Sequence, residues 1–256
     1  MDWLSQELIT LLLRGLLYTV LLTAITSISS LVVGISVGAI RLSGRPFLAW
    51  AAGVYVNIFR NVPALVLIIF LAFAVPNLFA PEQRQALFFD NLLTDWTESI
   101  SGLSLPYYVL AVIAALTLNS SAYLAELFRA GVGTIPRQLV DAARSLGASQ
   151  TAVFRQILLP QGVLAAFPAM ATRLIHNMKN TALASIVAVP EFFHATQASV
   201  TRTFFALQFL LMAALVYLLL SFFFAALLRQ VERRLDPRYG SAKGELQRAP
   251  IKVSNA

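Results

Sequence analysis

From residue 135 to residue 149 the chain reads Ile-Pro-Arg-Gln-Leu-Val-Asp-Ala-Ala-Arg-Ser-Leu-Gly-Ala-Ser, a polar stretch with long apolar runs on both sides. Pro136 suits the first turn of a helix, since the N–H that it lacks has no helical partner there. Gly147 suits the C-terminal end of that helix. A second amphipathic stretch, over 151–159, is predicted to end at Pro160. Two interpretations remain open: a structured loop, or an element that docks on a cytoplasmic partner.

The chain around this stretch is apolar enough to lie in a membrane. Of its 256 residues 58% are hydrophobic and 12% are charged, whereas soluble domains carry roughly 25% charged residues. This composition excludes an ordinary soluble domain and also disorder. A bilayer core needs about 20 apolar helical residues, and five segments reach that length: 11–40, 54–76, 106–128, 162–189 and 204–228. The prediction is an all-α integral membrane protein with five transmembrane helices and a flexible cytoplasmic tail over 233–256.

The net charge of +7 falls mostly in short stretches between the apolar runs, so it predicts topology rather than a nucleic acid partner. The stretches outside the spans form two alternating sets, one for each side of the membrane. One set carries 14 Lys and Arg residues and the other carries 2. The first set is 41–60, 129–155 and 229–256, and the second is 1–10, 77–105 and 190–203. Because Lys and Arg concentrate on the cytoplasmic side, the N-terminus is predicted outside and the C-terminus in the cytoplasm.

Several classes of chemistry are excluded by residues that the sequence lacks. There is no cysteine and only two histidines, which excludes thiolate and imidazole-rich metal sites. The metalloprotease and nucleophile-elbow motifs are absent, and no pair of intramembrane aspartates occurs, which argues against an intramembrane enzyme. No Gly-x4-Gly-Lys-Ser/Thr phosphate loop occurs either. This chain therefore cannot itself hydrolyse ATP by that route.

The polar stretch resembles the EAA motif of permease subunits of type I ABC importers. The match begins with Asp141-Ala142-Ala143 and, after three intervening residues, continues with Gly147. Nine further residues separate Gly147 from Ile157, and one residue separates Ile157 from Leu159-Pro160. Three further segments are similar to the polar amino acid permeases of the histidine and glutamine type. They are Phe59-Arg60-Asn61-Val62-Pro63, Ala125-Glu126-Leu127-Phe128-Arg129-Ala130-Gly131 and Lys179-Asn180-Thr181-Ala182-Leu183. The chain departs from the family pattern at Asp141, where Glu is usual, and at Gln138-Leu139, where Gly-Gln is usual.

The resemblance implies a five-helix permease core in a bacterial inner (plasma) membrane, working by alternating access. Its coupling segment, 137–160, contains a helix that fits a groove on an ABC ATPase subunit, which binds ATP and Mg, so no cofactor is expected on this chain. The residues implied in this coupling are Asp141, Ala142, Ala143, Leu146 and Gly147. Implied partners are a second permease subunit, the same or homologous, an extracytoplasmic amino-acid-binding protein and membrane lipid.

Polar residues within the apolar segments form stripes. Charged side chains inside a bilayer cost about 2.5 to 3.5 kcal/mol each on insertion scales, so their default interpretation is functional. At about 100° per residue, three spans each carry one stripe. The stripes are Asn57, Arg60 and Asn61 on the second span, Asn119, Tyr123 and Glu126 on the third, and Arg173, His176, Asn177 and Asn180 on the fourth. Together they predict a translocation path near the interface with the second permease subunit.

Five residues are predicted to bind the substrate: Arg173, Asn177, Asn119, His176 and Asn180. The guanidinium of Arg173 is a planar fork that suits a carboxylate, so the predicted substrates are polar amino acids, with acidic ones among the candidates. The alternative is that the polar groups only pair among themselves, for example Glu126 with Arg129, Arg60 or Arg173. Lys179 points away from Arg173. For this residue, helix packing or snorkelling of the side chain toward the outer membrane surface is as good an explanation as substrate binding.

A secondary transporter or channel acting without an ATPase is the alternative function. Five spans, an odd number, with no visible inverted repeat count against many folds of that class. The docking helix would also have no role in such a protein. The sequence therefore favours the permease subunit of an ATP-driven, binding-protein-dependent importer.

Overall fold

The computed structural model describes residues 5–89 and 106–235. Residues 236–256 of the predicted tail lie outside the described residues. Within the described ranges the chain is helical and contains no strand. The ten α-helices there are α1 Gln6–Arg41, α2 Pro46–Asn61, α3 Ala64–Ile69, α4 Pro81–Arg84, α5 Tyr107–Gly133, α6 Arg137–Ser145, α7 Gln150–Val153, α8 Leu159–Asn180, α9 Phe192–Thr203 and α10 Ala206–Leu235.

Four of the described helical stretches are long and apolar enough to cross a membrane, and a bent pair makes a fifth. The four are Gln6–Arg41, Tyr107–Gly133, Gln150–Val187 and Ala206–Leu235, and the pair is Pro46–Asn61 with Ala64–Ala74. This confirms the predicted all-α membrane architecture. Helix α1 has 36 residues, so at about 1.5 Å per residue it is about 54 Å long and exceeds the bilayer core.

The second span differs from the continuous segment predicted over 54–76, because α2 and α3 meet at an angle of 102°. Pro63 has no N–H to continue the helix, and it restricts the preceding residue to an extended backbone. Val62 accordingly has φ −87° and ψ 128°. The carbonyls released at the end of α2 are satisfied by α5. The Asn119 Nδ2 donates to the carbonyls of Phe59 (2.9 Å) and Val62 (3.1 Å), and the Tyr123 hydroxyl donates to that of Arg60 (2.9 Å).

The coupling segment also differs from its prediction, because no helix ends at Pro160. Helix α7 continues through a π-helical turn, Phe154–Leu158, directly into α8. The Leu159 N–H bonds to the Phe154 carbonyl five residues back. This wider turn accommodates Pro160, which has no N–H of its own and lies in the first turn of α8. The part of the coupling segment from Gln150 onward is thus helically continuous with the fourth span.

Glycines allow α1, α5 and α8 to pack backbone against backbone. Gly34 and Gly38 have the small-xxx-small spacing that predicts a close helix approach, and the structure confirms it. A Cβ on Gly34 would lie 2.7 Å from the Leu124 Cβ, and one on Gly38 would lie 2.9 Å from the Ala125 carbonyl oxygen. Where α5 crosses α8, a Cβ on Gly131 would lie 2.5 Å from the carbonyl oxygen of Gly162.

Replacing Gly131 with Ala is therefore expected to destabilise the permease by about 1 to 3 kcal/mol, the usual cost of overpacking. Gly133→Ala is the matched control, because Gly133 is in the same helix and a Cβ there meets nothing within 4 Å. The control is expected to be neutral or slightly stabilising. Thermal unfolding of the purified protein in detergent measures both changes. Equal unfolding temperatures for the two variants would contradict the close crossing of α5 and α8.

Glu191 is a buried acid that connects the N-terminal half of α1 with α9 and α10. It caps α9 by accepting the N–H groups of Phe193 and His194, both at 2.8 Å. The Tyr217 hydroxyl donates to it at 2.8 Å and the Thr19 hydroxyl at 3.3 Å. The side chain is fully buried, so its hydrogen bonds replace the water that a carboxylate otherwise needs. Helix α9 is in this way fastened between α1 and α10.

Candidate functional site

A cavity of about 380 Å³ lies where the bend between α2 and α3 faces α5 and α8. The bend contributes one wall, and the polar stripes of α5 and α8 contribute the others. The lining residues are Arg60, Asn61, Val62, Pro63, Ala64, Leu65, Asn119, Tyr123, Arg173, His176, Asn180 and Leu183. The cavity brings together four of the five predicted substrate residues, and only Asn177 is missing.

Arg173 is the charged centre of this cavity. Its Nη2 donates to the Asn119 Oδ1 at 2.5 Å and to the Ser120 Oγ at 3.3 Å. The guanidinium carbon lies 4.0 Å from the centre of the Tyr123 ring, an arrangement that attracts a cation to the ring face. Its Nε is buried and has no hydrogen-bond partner among the described residues. Those residues also offer it no ion pair with a carboxylate, so the positive charge is uncompensated.

Asn119 forms hydrogen bonds both to the α2 bend and to Arg173. Its amide nitrogen holds the released carbonyls of the α2 bend, while its amide oxygen accepts from Arg173. The orientation of the amide is fixed by these contacts, since only the nitrogen can donate to a carbonyl. The bend and the guanidinium are thereby held in one geometry.

His176 and Asn180 continue the stripe along α8. The His176 Nδ1 lies 3.4 Å from the Arg173 Nη1 and 3.4 Å from the Asn180 Nδ2. The His176 side chain is exposed on this chain. The three residues offer donors and acceptors along one side of the cavity, at the spacing of successive helical turns.

Asn177 differs from the other four predicted substrate residues, because it does not line the cavity. Its side chain is fully buried, its Oδ1 accepts from the Ser120 hydroxyl at 2.8 Å, and its Nδ2 donates to the Thr26 hydroxyl at 2.9 Å. It therefore joins α8 to α5 and α1. A polar arc of roughly 100° is wide enough for one edge to pack internally while the other lines a cavity, and residue spacing does not tell the two edges apart.

Glu126 forms ion pairs near the C-terminal end of α5. Its predicted pairing with Arg129 is confirmed, at 2.6 Å, and its second partner is Arg41 at the end of α1. Arg41 was not among the partners expected from the sequence, which named Arg60 and Arg173 as the alternatives. The contact joins α1 to α5 across 85 residues of sequence, a separation at which no local pattern identifies a partner.

Lys179 lies on a different side of α8 from Arg173, as the sequence indicates. It lines a separate cavity of about 530 Å³, together with residues of α9 and α10. It is therefore not part of the cavity around Arg173. The described residues contain no group of His, Asp and Glu that could hold a metal ion.

The helix α6 is a surface element with a well-formed end. None of its residues is buried. Gly147 has φ +86°, its N–H bonds to the Arg144 carbonyl at 2.9 Å, and the Ala148 N–H bonds to the Ala143 carbonyl at 3.0 Å. This pair of bonds is the Schellman motif, which requires a left-handed residue after the helix. Next to it, the Leu146 side chain is 89% exposed, so an apolar group at the end of α6 is left uncovered by the described residues.

The sequence and the fold are similar to those of known transporters. The profile of a family described as binding-protein-dependent transport system inner membrane component matches residues 30–237. The chain belongs to this family. It is a permease subunit of an ABC importer, a multi-pass protein of the inner membrane and a transport subunit rather than an enzyme. The family works in general with a separate ATPase and a binding protein.

Two relatives and one solved structure agree with this membership. This permease is 31% identical over 234 residues to the probable glutamine ABC transporter permease protein GlnP of Bacillus subtilis, covering 90% of this chain and 96% of that protein. It is 31% identical over 243 residues to the glutamate transport system permease protein GluD of Corynebacterium glutamicum, covering 93% and 79%. The crystal structure of an amino acid ABC transporter with histidines has the same fold, with a TM-score of 0.70 at 23% identity, covering 89% and 95%.

Proposed function

We propose that this permease moves polar amino acids into the cytoplasm by alternating access, and that Arg173 binds the substrate carboxylate. The observation that carries the proposal is the uncompensated guanidinium in the cavity between the α2 bend, α5 and α8. A carboxylate would supply the missing negative charge and accept the N–H groups of the fork. Asn119, His176 and Asn180 complete the proposed substrate site.

The names of the relatives support the substrate class. One is named for glutamine and the other for glutamate, and both amino acids carry an α-carboxylate and a polar side chain. Glutamate carries a second carboxylate, which a cavity with Arg60 and Arg173 both in its lining suits. Acidic amino acids are therefore included among the proposed substrates.

A second permease subunit, the same or homologous, is proposed to close the cavity. His176 and Asn61 are exposed on this chain, although they lie on apolar spans. Polar groups at membrane depth need a protein surface or a water-filled path, because lipid cannot form hydrogen bonds with them. A second subunit that faces this surface would enclose the path between the two chains.

Energy is proposed to come from ATPase subunits that contact α6 and the turn after it. The proposed contact residues are the exposed Asp141, Ala142, Leu146 and Gly147, whereas Ala143 of the predicted set lies on the less exposed side of the helix. ATP and Mg bind to that partner and not to this chain, and an extracytoplasmic amino-acid-binding protein delivers the substrate from outside. Closure of the ATPases would move α6, and the continuous path through α7 into α8 would transmit the motion to Arg173.

The proposed orientation has the N-terminus outside and the C-terminus in the cytoplasm. Two contacts support it. The Gln150 side chain donates to the Ser43 carbonyl at 3.4 Å, which joins two stretches of the Lys- and Arg-rich set. Arg202 pairs with Glu7 at 3.0 Å, which joins two stretches of the other set. Reporter fusions after Gln230 and at Glu82 are expected to report cytoplasmic and external locations, and the same side for both would refute the topology.

The proposed function is tested by purifying the tagged permease from its own membrane with a mild detergent. An ABC ATPase and a permease subunit in stoichiometric amounts are expected to accompany it. A permease that purifies alone at full yield and still supports uptake in vesicles would instead favour a transporter that needs no ATPase.

A further inference from the structure

A second cavity, of about 420 Å³, lies at the end of α1 near Arg41. One part of its wall is apolar and includes Ile40, Phe154 and Leu158, which belong to the ends of two membrane spans. The other part is polar and includes Arg45, just before α2, and Arg144, on α6. The cavity therefore offers two cationic side chains next to an apolar surface, an arrangement that the proposed transport mechanism does not use.

The two arginines lack an anionic partner. Among residues 5–89 and 106–235, ion pairs with acids are formed by Arg41, Arg129 and Arg202, and by neither Arg45 nor Arg144. The lining of the cavity contains no Asp or Glu. Two like charges that face one cavity repel each other, so an anion bound between them would be stabilised by both.

Arg144 is exposed, and it lines the cavity from the edge of α6 next to Val140. The least exposed residues of this helix are Val140 and Ala143, which mark its inner side. At about 100° per residue, Arg144 lies only about 40° from Val140, whereas Ala142 lies about 160° from it. The outer side of α6 is free for the ATPase, so an acidic group of the ATPase is a poorer match for this cavity than a ligand from the membrane.

The position of the cavity relative to the membrane surface indicates the chemical class of that ligand. Phe47 and Trp50, in the first turns of α2, are 73% and 66% exposed, and their rings stack at 6.2 Å. Trp is enriched at the boundary between lipid and water, so the exposed Trp50 indicates that the start of α2 lies near that boundary. The adjacent Arg45 is thus at headgroup level, and the apolar wall of the cavity is at the level of acyl chains.

We propose that this cavity binds an anionic phospholipid, with its phosphate between Arg45 and Arg144 and its acyl chain against Ile40, Phe154 and Leu158. Basic pockets between membrane helices are suited to anionic headgroups. Bound there, the lipid would connect the α1–α2 turn to the coupling segment. The proposal requires only that this end of α1 lies at the membrane surface, and it is independent of the substrate and of Arg173.

The experiment uses the complete complex in detergent, with native mass spectrometry to measure retained phosphatidylglycerol. Arg45→Gln is expected to weaken retention about fivefold, as one charge near an anionic surface should, and the additional change Arg144→Gln is expected to weaken it further. Arg229→Gln is the matched control, because Arg229 is an exposed arginine of the same charge-rich set that does not line the cavity. The control and the wild type are expected to retain the lipid equally.

Three results would overturn the proposal. Retention of phosphatidylcholine equal to that of phosphatidylglycerol would show that the arginines do not select an anion. Thermal stabilisation by glycerol phosphate or inorganic phosphate as large as that by phosphatidylglycerol would indicate a phosphate site without a lipid. Loss of the ATPase from the double variant, with phosphatidylglycerol still retained, would show that the arginines bind the ATPase instead.

Discussion

Arg173→Gln is expected to lower ATP-driven amino acid uptake by about ten- to a hundredfold while the complex still assembles. The variant removes both the charge and the planar fork, and charge-assisted hydrogen bonds contribute about 1.5 to 3 kcal/mol. Arg173→Lys retains the charge but not the fork, so we expect weaker transport with an altered order among competing glutamate, glutamine and arginine. Uptake of radiolabelled substrate into proteoliposomes measures both variants.

A control is needed because Arg173 also has a structural contact. It donates to the Asn119 amide that holds the α2 bend, so a loss of assembly must be separated from a loss of binding. Lys179→Gln removes the same charge from the same helix but from a different cavity, and we expect it to transport normally. Wild-type uptake by both Arg173 variants, or failure of assembly as their only defect, would show that Arg173 is not a substrate ligand.

Gly147→Leu is expected to abolish binding-protein-stimulated ATP hydrolysis without removing the permease from the membrane. Gly147 has φ +86°, a conformation that costs residues other than glycine about 1 to 2 kcal/mol. A Cβ there meets nothing within 4 Å, so the effect comes from the backbone and from the partner surface, not from a clash within the chain. The Schellman bonds that shape the end of α6 would be lost.

Two companion variants separate these causes. Gly133→Leu is the matched control, since a Cβ at Gly133 also meets open space but its backbone has no positive φ. Gly147→Asn should retain part of the coupling, because Asn tolerates the left-handed conformation better than Leu. ATP hydrolysis by the reconstituted complex with and without the loaded binding protein measures all three. Undiminished stimulation in Gly147→Leu would remove α6 from the coupling mechanism.

Much of the fold follows from residue patterns that are local in sequence. Span length and composition predict the membrane helices, and the spacing from Asp141 to Pro160 predicts the importer class. The glycine pair in α1 predicts the close helix contact that the structure has. The span and glycine predictions depend on short-range geometry, namely the helical repeat, the thickness of the bilayer and the size of a side chain, whereas the importer class depends on the resemblance to the EAA motif.

What the sequence does not predict depends on contacts between distant segments. The stripe on α8 includes Asn177 and Arg173 together, yet one packs internally and the other lines the cavity, because α1 and α5 cover only one edge of the stripe. The bend at Pro63 was not predicted within the span over 54–76, and Asn119, which stabilises it, is 57 residues from Val62 in the sequence. The hydrogen bond between Glu191 and Thr19 and the ion pair between Arg41 and Glu126 likewise join α1 to segments that are distant in the sequence.

The most direct measurement is uptake of radiolabelled glutamate and glutamine into proteoliposomes that contain the complete complex. We predict uptake that requires ATP on the side of α6 and the loaded binding protein on the other side, and that stops when the ATPase is made catalytically inactive. Uptake that continues at the same rate without ATP hydrolysis would contradict the account, because this chain would then be moving its substrate alone.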